Sequence, residues 1–131
     1  MRILPELTPE NAFFWTGGAE GELRILRCRA CATWVHPPAP ICPRCRSRDL
    51  GPEAVSGRGT LLTHTVNHHP WGALPTPYVI AIVELDEQPG LRLLTNLVDV
   101  PAEDLRSGLR VVVRFERVED VWLPLFAPER P

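Results

Sequence analysis

The sequence contains no lysine: all fourteen of its basic residues are arginine. It has one tyrosine, one methionine and three serines, Ser47, Ser56 and Ser107, none of them in a Gly-x-Ser-x-Gly setting. That absence argues against an α/β-hydrolase nucleophile. No glycine-rich stretch has the spacing of a phosphate-cradling loop; Gly57-Arg58-Gly59 is too short for either nucleotide fingerprint. No His-Glu-x-x-His helix occurs, so a zinc-peptidase site is also excluded. No apolar run approaches the roughly 18 residues that cross a bilayer, and the stretch after Arg2 is too short for a signal peptide. The expectation is a cytoplasmic protein without membrane association. With one tyrosine and apolar positions that read as core, the chain lacks the stacking platform of a single-strand nucleic-acid binder.

What is present points to a small β protein. A chain of 131 residues suits one compact unit with an appendage, and buries about two-thirds of its unfolded surface. Hydrophobic content is 44%, enough for a core, and fifteen prolines favour short elements joined by turns. The net charge of −2 conceals segregation. Between Arg24 and Arg58, seven arginines face Asp49 and Glu53, a local +5; between Glu84 and Arg130, ten acids face six arginines, a local −4. The basic part is read either as a mixed solvated surface or as a face for an anion or acidic partner.

All four cysteines fall in two pairs, Cys28-x-x-Cys31 and Cys42-x-x-Cys45, separated by the ten residues Ala32 to Ile41. Each pair can aim two thiolates at one point, and two pairs close a tetrahedral S4 site. This predicts a structural Zn²⁺ site with Cys28, Cys31, Cys42 and Cys45 as ligands and no open position for catalysis. Arg27, Arg29, Arg44 and Arg46 flank the thiolates and favour their ionised form. A rubredoxin-type iron centre would use the same four sulfurs, and sequence leaves that open; disulfides would need an exported chain. Ala32 and Arg46 follow the second cysteine of each pair, where many ribbons place glycine to reach φ > 0, which predicts slightly strained knuckles.

Along the chain, Thr8 is a candidate N-cap and Pro9 a first-turn residue for a short helix carrying Phe13, Phe14 and Trp15, stopped by Gly17-Gly18. These aromatics either pack on the chain's own core or dock on another chain. Leu23–Arg27 and Trp34–His36 read as ribbon strands, with His36 structural, and Arg46 to Glu53 as a polar link. Five strands follow: Gly57–Val66 with a bend or bulge at Gly59, Tyr78–Leu85 buried on both faces, Leu91–Leu97, Arg110–Val118 and Trp122–Phe126. With one helical turn in the polar stretch Asp99–Gly108, they match a small Greek-key barrel of OB type. The fold class is therefore mainly β. The expected segments are an aromatic helical stretch (1–22), a rubredoxin-like zinc ribbon (23–52) and an OB-fold (53–131). Asn67-His68-His69-Pro70-Trp71 is the one stretch with a catalytic flavour. It is read as a polar loop or a ligand contact, and His64 as an ordinary strand histidine.

The order of these features resembles a known family. Phe13-Phe14-Trp15, Glu20-Gly21-Glu22-Leu23, the four cysteines, Val55-Ser56-Gly57-Arg58-Gly59-Thr60, Pro77 to Leu85, Gly108 before Val111-Val112-Val113, and Leu123-Pro124-Leu125-Phe126 are similar to acyl-CoA-associated zinc-ribbon OB-fold proteins. That resemblance implies a non-catalytic partner of a thiolase-superfamily enzyme. Arg-rich, Lys-free composition inclines it toward an aldolase that shortens steroid side chains, working beside an acyl-CoA hydratase. The alternatives are a partner of acetyl-CoA acetyltransferase and hydroxymethylglutaryl-CoA synthase, or a single-strand nucleic-acid module. Joined to that resemblance, the residues suggest that Phe13, Phe14 and Trp15 and the barrel loops bury against a thiolase-fold dimer, that the ribbon arginines and Arg58 pair with CoA phosphates, and that the loop of Asn67, His68, His69 and Trp71 approaches the acyl-CoA.

Overall fold

The computed structural model describes residues 3–70 and 75–130. Thr8 and Asn11 close a turn around Pro9: the Thr8 amide donates to Asn11 Oδ1 at 2.8 Å, and the Asn11 amide to Thr8 Oγ1 at 3.3 Å. The N-cap of the helix is therefore Asn11 and not Thr8 as expected, because Pro9 is spent in that turn. Helix α1 proper is short, Ala12–Thr16. The α-helix ends at the expected glycines, with Gly17 as its C-cap. Gly17-Gly18 then tighten the chain into a 3₁₀ turn over Gly17–Glu20, which Gly21 ends in the left-handed region at φ 72°.

The ribbon sheet has the order β2-β1-β3, from β1 (Leu23–Cys28), β2 (Trp34–Val35) and β3 (Leu50–Val55). β3 corrects the sequence reading, which has a polar link there. Leu-Gly-Pro-Glu-Ala-Val shows no strand pattern because it has glycine and proline at its centre and three of its six residues are exposed. It is a strand because β1 pairs with it along its whole length, from Leu23 opposite Val55 to Cys28 opposite Leu50.

The remaining strands are β4 (Arg58–Asn67), β5 (Tyr78–Leu85), β6 (Arg92–Leu97), β7 (Arg110–Val118) and β8 (Val121–Pro128), closed into a barrel in the order β4-β5-β6-β8-β7. Closure is parallel, at Leu97 opposite Phe126, where the Val98 amide donates to the Phe126 carbonyl at 2.8 Å. The expected helical turn before β7 is Ala102–Asp104. Two details differ from the sequence reading. The bulge in β4 lies between Leu61 and Thr63, not at Gly59. In β5 one face is buried (Ala81, Val83, Leu85), while Tyr78, Ile80 and Ile82 remain half-exposed.

Gly57-Arg58-Gly59 is explained by two close approaches. At Gly57, φ is +79° and an added Cβ would lie 2.5 Å from Val113 Cγ1. At Gly59, it would lie 2.5 Å from the Glu84 carbonyl oxygen. The β4 strand can enter the barrel this tightly only without side chains at these two places.

One core unites barrel and ribbon. Leu61, Val83, Leu93, Val111 and Phe126 inside the barrel are continuous with Phe14, Leu23, Ile25 and Trp34 of the helix and ribbon. Polar clamps reinforce the junction. Gln88, in the β5–β6 turn, accepts from the Trp34 amide at 2.9 Å and donates to the Trp34 carbonyl at 3.0 Å. Beside it the Ser56 amide donates to Glu87 at 2.8 Å. A second cluster explains why β8 is buried on both sides: Leu123 and Leu125 are covered by Leu7, Trp15, Val98 and Val118. No helix of the described residues is long and apolar enough to cross a membrane.

Two predictions follow from this packing. Gly57→Ala should destabilise the zinc-loaded protein by about 2–4 kcal/mol, from a left-handed alanine together with the Val113 overlap; urea unfolding measures it. His36 stacks on Phe14, centroids 5.1 Å apart, and burial lowers its pKa below the ordinary 6.5. The unfolded chain takes up a proton at His36 near pH 6.5 while the folded chain resists it. This contribution to stability is therefore fully present above about pH 6.5 and declines as pH falls toward the lower folded value. His36→Phe should flatten that decline in thermal melts between about pH 7.5 and 5.5.

Candidate functional site

The two cysteine pairs sit on matching turns. The Ala32 amide donates to the Cys28 carbonyl and the Arg46 amide to the Cys42 carbonyl, both at 2.9 Å. Ala32 and Arg46 both have φ 66°, so each knuckle does place a non-glycine residue in the left-handed region. The Cys28 amide then donates to Thr33 O and the Cys42 amide to Ser47 O, at 2.8 and 2.9 Å. Two superimposable turns thus present four sulfurs to one point.

The four sulfurs all lie within 4.8 Å of one another. Cys28 and Cys45 are 3.5 Å apart, and Cys31 and Cys42 are 3.7 Å apart. A tetrahedral Zn(S)4 centre with Zn–S of about 2.3 Å requires sulfur separations of about 3.8 Å. The site therefore fits zinc with its present backbone. Cys28 and Cys42 are buried and Cys31 and Cys45 exposed, which puts the centre at the ribbon's tip.

The electrostatics come from amides more than from the flanking arginines expected to do this. The Cys31 amide, aided by that of Ala30, draws the Cys28 thiol below its usual range. The Thr33 hydroxyl, 3.1 Å away, and then the Thr33 amide lower Cys31 to about 6. At Cys45 the Ser47 amide also lowers, but hydrogen bonds to Cys28 and Cys31 outweigh it and push the thiol up to about 12. The sulfurs compete for protons, and a divalent cation resolves that competition by taking all four as thiolates. Of the arginines, Arg29 braces the first knuckle by pairing with Asp49 at 3.0 Å and donating to the Leu50 carbonyl. Arg27 lies over the Trp34 ring at 4.4 Å and pairs with Glu53.

The other candidate residues do not form one site. Arg58 begins β4 and Asn67 ends it, so about 30 Å of strand separates them. Arg58 pairs with Glu129, which also contacts Arg110; Arg110 in turn holds Asp86 through two bonds of 2.7 and 2.6 Å. Asn67 folds its own loop, donating to the His69 carbonyl at 2.8 Å. His68 and His69 are exposed, and Trp71 lies outside the described residues. The serine hydroxyls are engaged in loops: Ser47 accepts from the Asp49 amide, Ser56 from the Arg58 amide, and Ser107 donates to Leu62 O.

Among the aromatics, Phe14 is 6% exposed and lies in the core, with Trp15 edge-on to it at 4.7 Å. Phe13 and Trp15 are half-buried. The surface that sequence reasoning missed is the outer face of β4–β6. Leu94 is 74% exposed there, directly opposite Ile82, which in turn faces Thr63. Leu94 lines a 250 Å³ hollow with Ile80, Ile82 and His64, and a second of 150 Å³ with Trp15, Leu123 and Pro124. No polar alternation marks that face in the sequence, because β5 is apolar at nearly every position.

Two family profiles match the chain: one described as the ChsH2 rubredoxin-like zinc ribbon domain over residues 15–51, and one as the ChsH2 C-terminal OB-fold domain over residues 52–116. A solved chain described as the Ltp2-ChsH2(DUF35) aldolase superposes with a TM-score of 0.85 at 38% identity, covering 95% of this chain and 98% of that one. The chain belongs to the DUF35 family. A DUF35 domain-containing scaffold protein of Methanocaldococcus jannaschii is 37% identical over 102 residues, 72% of this chain and 68% of that protein. The probable enoyl-CoA hydratase alpha subunit of Thermomonospora curvata is 39% identical over 133 residues, all of this chain. The 3-oxo-4,17-pregnadiene-20-carboxyl-CoA hydratase alpha subunit of Mycobacterium tuberculosis is 40% identical over 126 residues, 95% of this chain. The chain spans 41% and 40% of those two subunits.

The DUF35 ribbon generates a direct test. Purified protein should carry one zinc ion by elemental analysis, and Cys42→Ser should remove essentially all of it. Structural zinc contributes about 10–16 kcal/mol in small ribbons, so a strong chelator should abolish amide protection in β1 and β3. The barrel strands β4–β8 should retain theirs.

Proposed function

We propose that this chain is a non-catalytic accessory subunit of a thiolase-superfamily acyl-CoA enzyme, specifically an aldolase that cleaves the side chain of a steroid-CoA thioester. The observation that carries this reading is the full-length correspondence with the Ltp2-ChsH2(DUF35) aldolase chain, 98% of which is covered. The pregnadiene-carboxyl-CoA named in the Mycobacterium relative supports a steroid thioester as the substrate class. Hydratase chemistry is not carried over, since this chain matches only 40% of that subunit.

The site supports the same reading. A closed four-sulfur centre leaves no coordination position for substrate, and the serine hydroxyls already serve loops. The Leu94 face supplies what an accessory subunit requires: an exposed leucine flanked by the half-exposed Ile80 and Ile82. We place the partner's contact on this face, with Trp15 at its margin, and the Asn67–His69 loop beside it toward the acyl-CoA. The bond-breaking groups belong to the partner.

The test compares the thiolase-fold enzyme, this chain and their mixture on a steroid acyl-CoA. Turnover is expected from the mixture alone. Full activity of the enzyme without this chain, or turnover by this chain unaided, rejects the proposal. Leu94→Asp should weaken association about tenfold or more, with unchanged zinc content and melting, because Leu94 is 74% exposed.

A further inference from the structure

The ribbon carries arginines of two kinds. Arg24, Arg27 and Arg29, on and just after β1, each have a carboxylate within ion-pair distance: Glu20 and Glu22, Glu53, and Asp49 respectively. Arg44, Arg46 and Arg48, in and after the second knuckle, are exposed and have no carboxylate partner among the described residues. Acids are not scarce, since the chain has sixteen against fourteen arginines. The arginines around the first knuckle are neutralised internally and those of the second are left unpaired.

A cavity of 510 Å³ is lined in part by Arg48, one of these three. Phe13, Leu26 and Leu50 contribute apolar surface, and Pro38, Pro40 and Pro52 stiffen it. Arg48 brings the groove its one guanidinium, and Glu10 its one carboxylate. The second knuckle, which carries Arg44 and Arg46, is the chain segment joining the wall around Pro38–Pro40 to the wall around Arg48–Pro52; of the three unpaired arginines, Arg48 itself lines the groove. Apolar groove and unpaired cations together define an occupant with an apolar side chain and carboxylates around it.

We propose that this groove and Arg44, Arg46 and Arg48 dock an extended acidic segment of the enzyme that the chain serves, separately from the Leu94 face. An apolar side chain of that segment seats between Leu26, Leu50 and the prolines, and its carboxylates pair with the guanidiniums, whose planar fork suits bidentate contact. Pro52 lacks an amide, so β3 is a poor template for an added strand and side chains hold the segment. A nucleic acid fits less well, because the groove offers proline and aliphatic surface in place of an aromatic stacking platform. The identity of the partner rests on the accessory-subunit reading; the acidic chemistry of the occupant rests on the groove alone.

The experiment measures association of the full zinc-loaded chain with the thiolase-fold enzyme by calorimetry at about 50 and about 300 mM NaCl. The charge-reversed triple variant R44E/R46E/R48E should bind about tenfold or more weakly and lose most of the salt dependence, while keeping its zinc. The charge-retaining R44K/R46K/R48K should stay within about threefold of wild type, and Leu50→Gln should weaken binding without altering salt dependence. Hydrogen exchange on the enzyme should show one acidic segment protected by wild type and not by the reversed variant. Wild-type affinity in the reversed variant overturns this surface and leaves the accessory-subunit reading standing. Failure of the wild-type chain to associate at all removes both. Binding of a single-stranded oligonucleotide that the reversal abolishes assigns these arginines to nucleic acid and overturns the protein-segment proposal.

Discussion

Four sulfurs held within 4.8 Å of one another are tolerable as thiolates only around a cation. That demand organises the ribbon. A unit of some thirty residues buries too little apolar surface to fold on hydrophobic burial alone. Its two turns are built on φ values of 66° at Ala32 and Arg46, which neither residue prefers. Metal ligation therefore offsets both a thin core and local backbone cost. Because β1 and β3 run directly out of the knuckles, the order imposed at the tip is transmitted to Leu23 and Ile25, and from there into the barrel core.

The barrel depends on the ribbon less, but the two are not independent bodies. Phe14, Ile25 and Trp34 belong to the same apolar cluster as Leu61 and Phe126. The N-terminal segment closes the outside of β8 where a free barrel would expose Leu123 and Leu125. The aromatic helix is thus partly a structural plug. Its flanks still reach apolar hollows at the surface, Trp15 beside Leu94 and Phe13 beside Leu26 and Leu50. The metal, the helix and the barrel together hold two surfaces of different chemistry in a fixed relation, one apolar around Leu94 and one basic around the second knuckle.

Much of this was legible in the sequence, for identifiable reasons. The cysteine spacing specifies its own geometry, and five short apolar segments separated by turn-rich stretches point to a barrel. What escaped was controlled by partners distant in sequence. β3 has glycine and proline at its centre and is a strand only because β1 supplies the other half of the ladder. The β4 bulge sits at Leu62, where no glycine marks it, while Gly59 is conspicuous for a different reason, the approach of the Glu84 carbonyl. Arg58 and Asn67 look close in sequence, yet an extended strand carries them to opposite ends. The exposed face of β5 was hidden by residues that are apolar on both sides.

Gln88 has a consequence beyond joining two parts of one molecule. β2 lies at the margin of its sheet, and the outward amide and carbonyl of Trp34 would otherwise offer a ready template to a strand from a neighbouring polypeptide. A carboxamide presents one donor and one acceptor in nearly the arrangement of a peptide unit, and it fills both positions. A single side chain from a distant hairpin stands in for a missing strand, and the ribbon's open seam is closed to strangers.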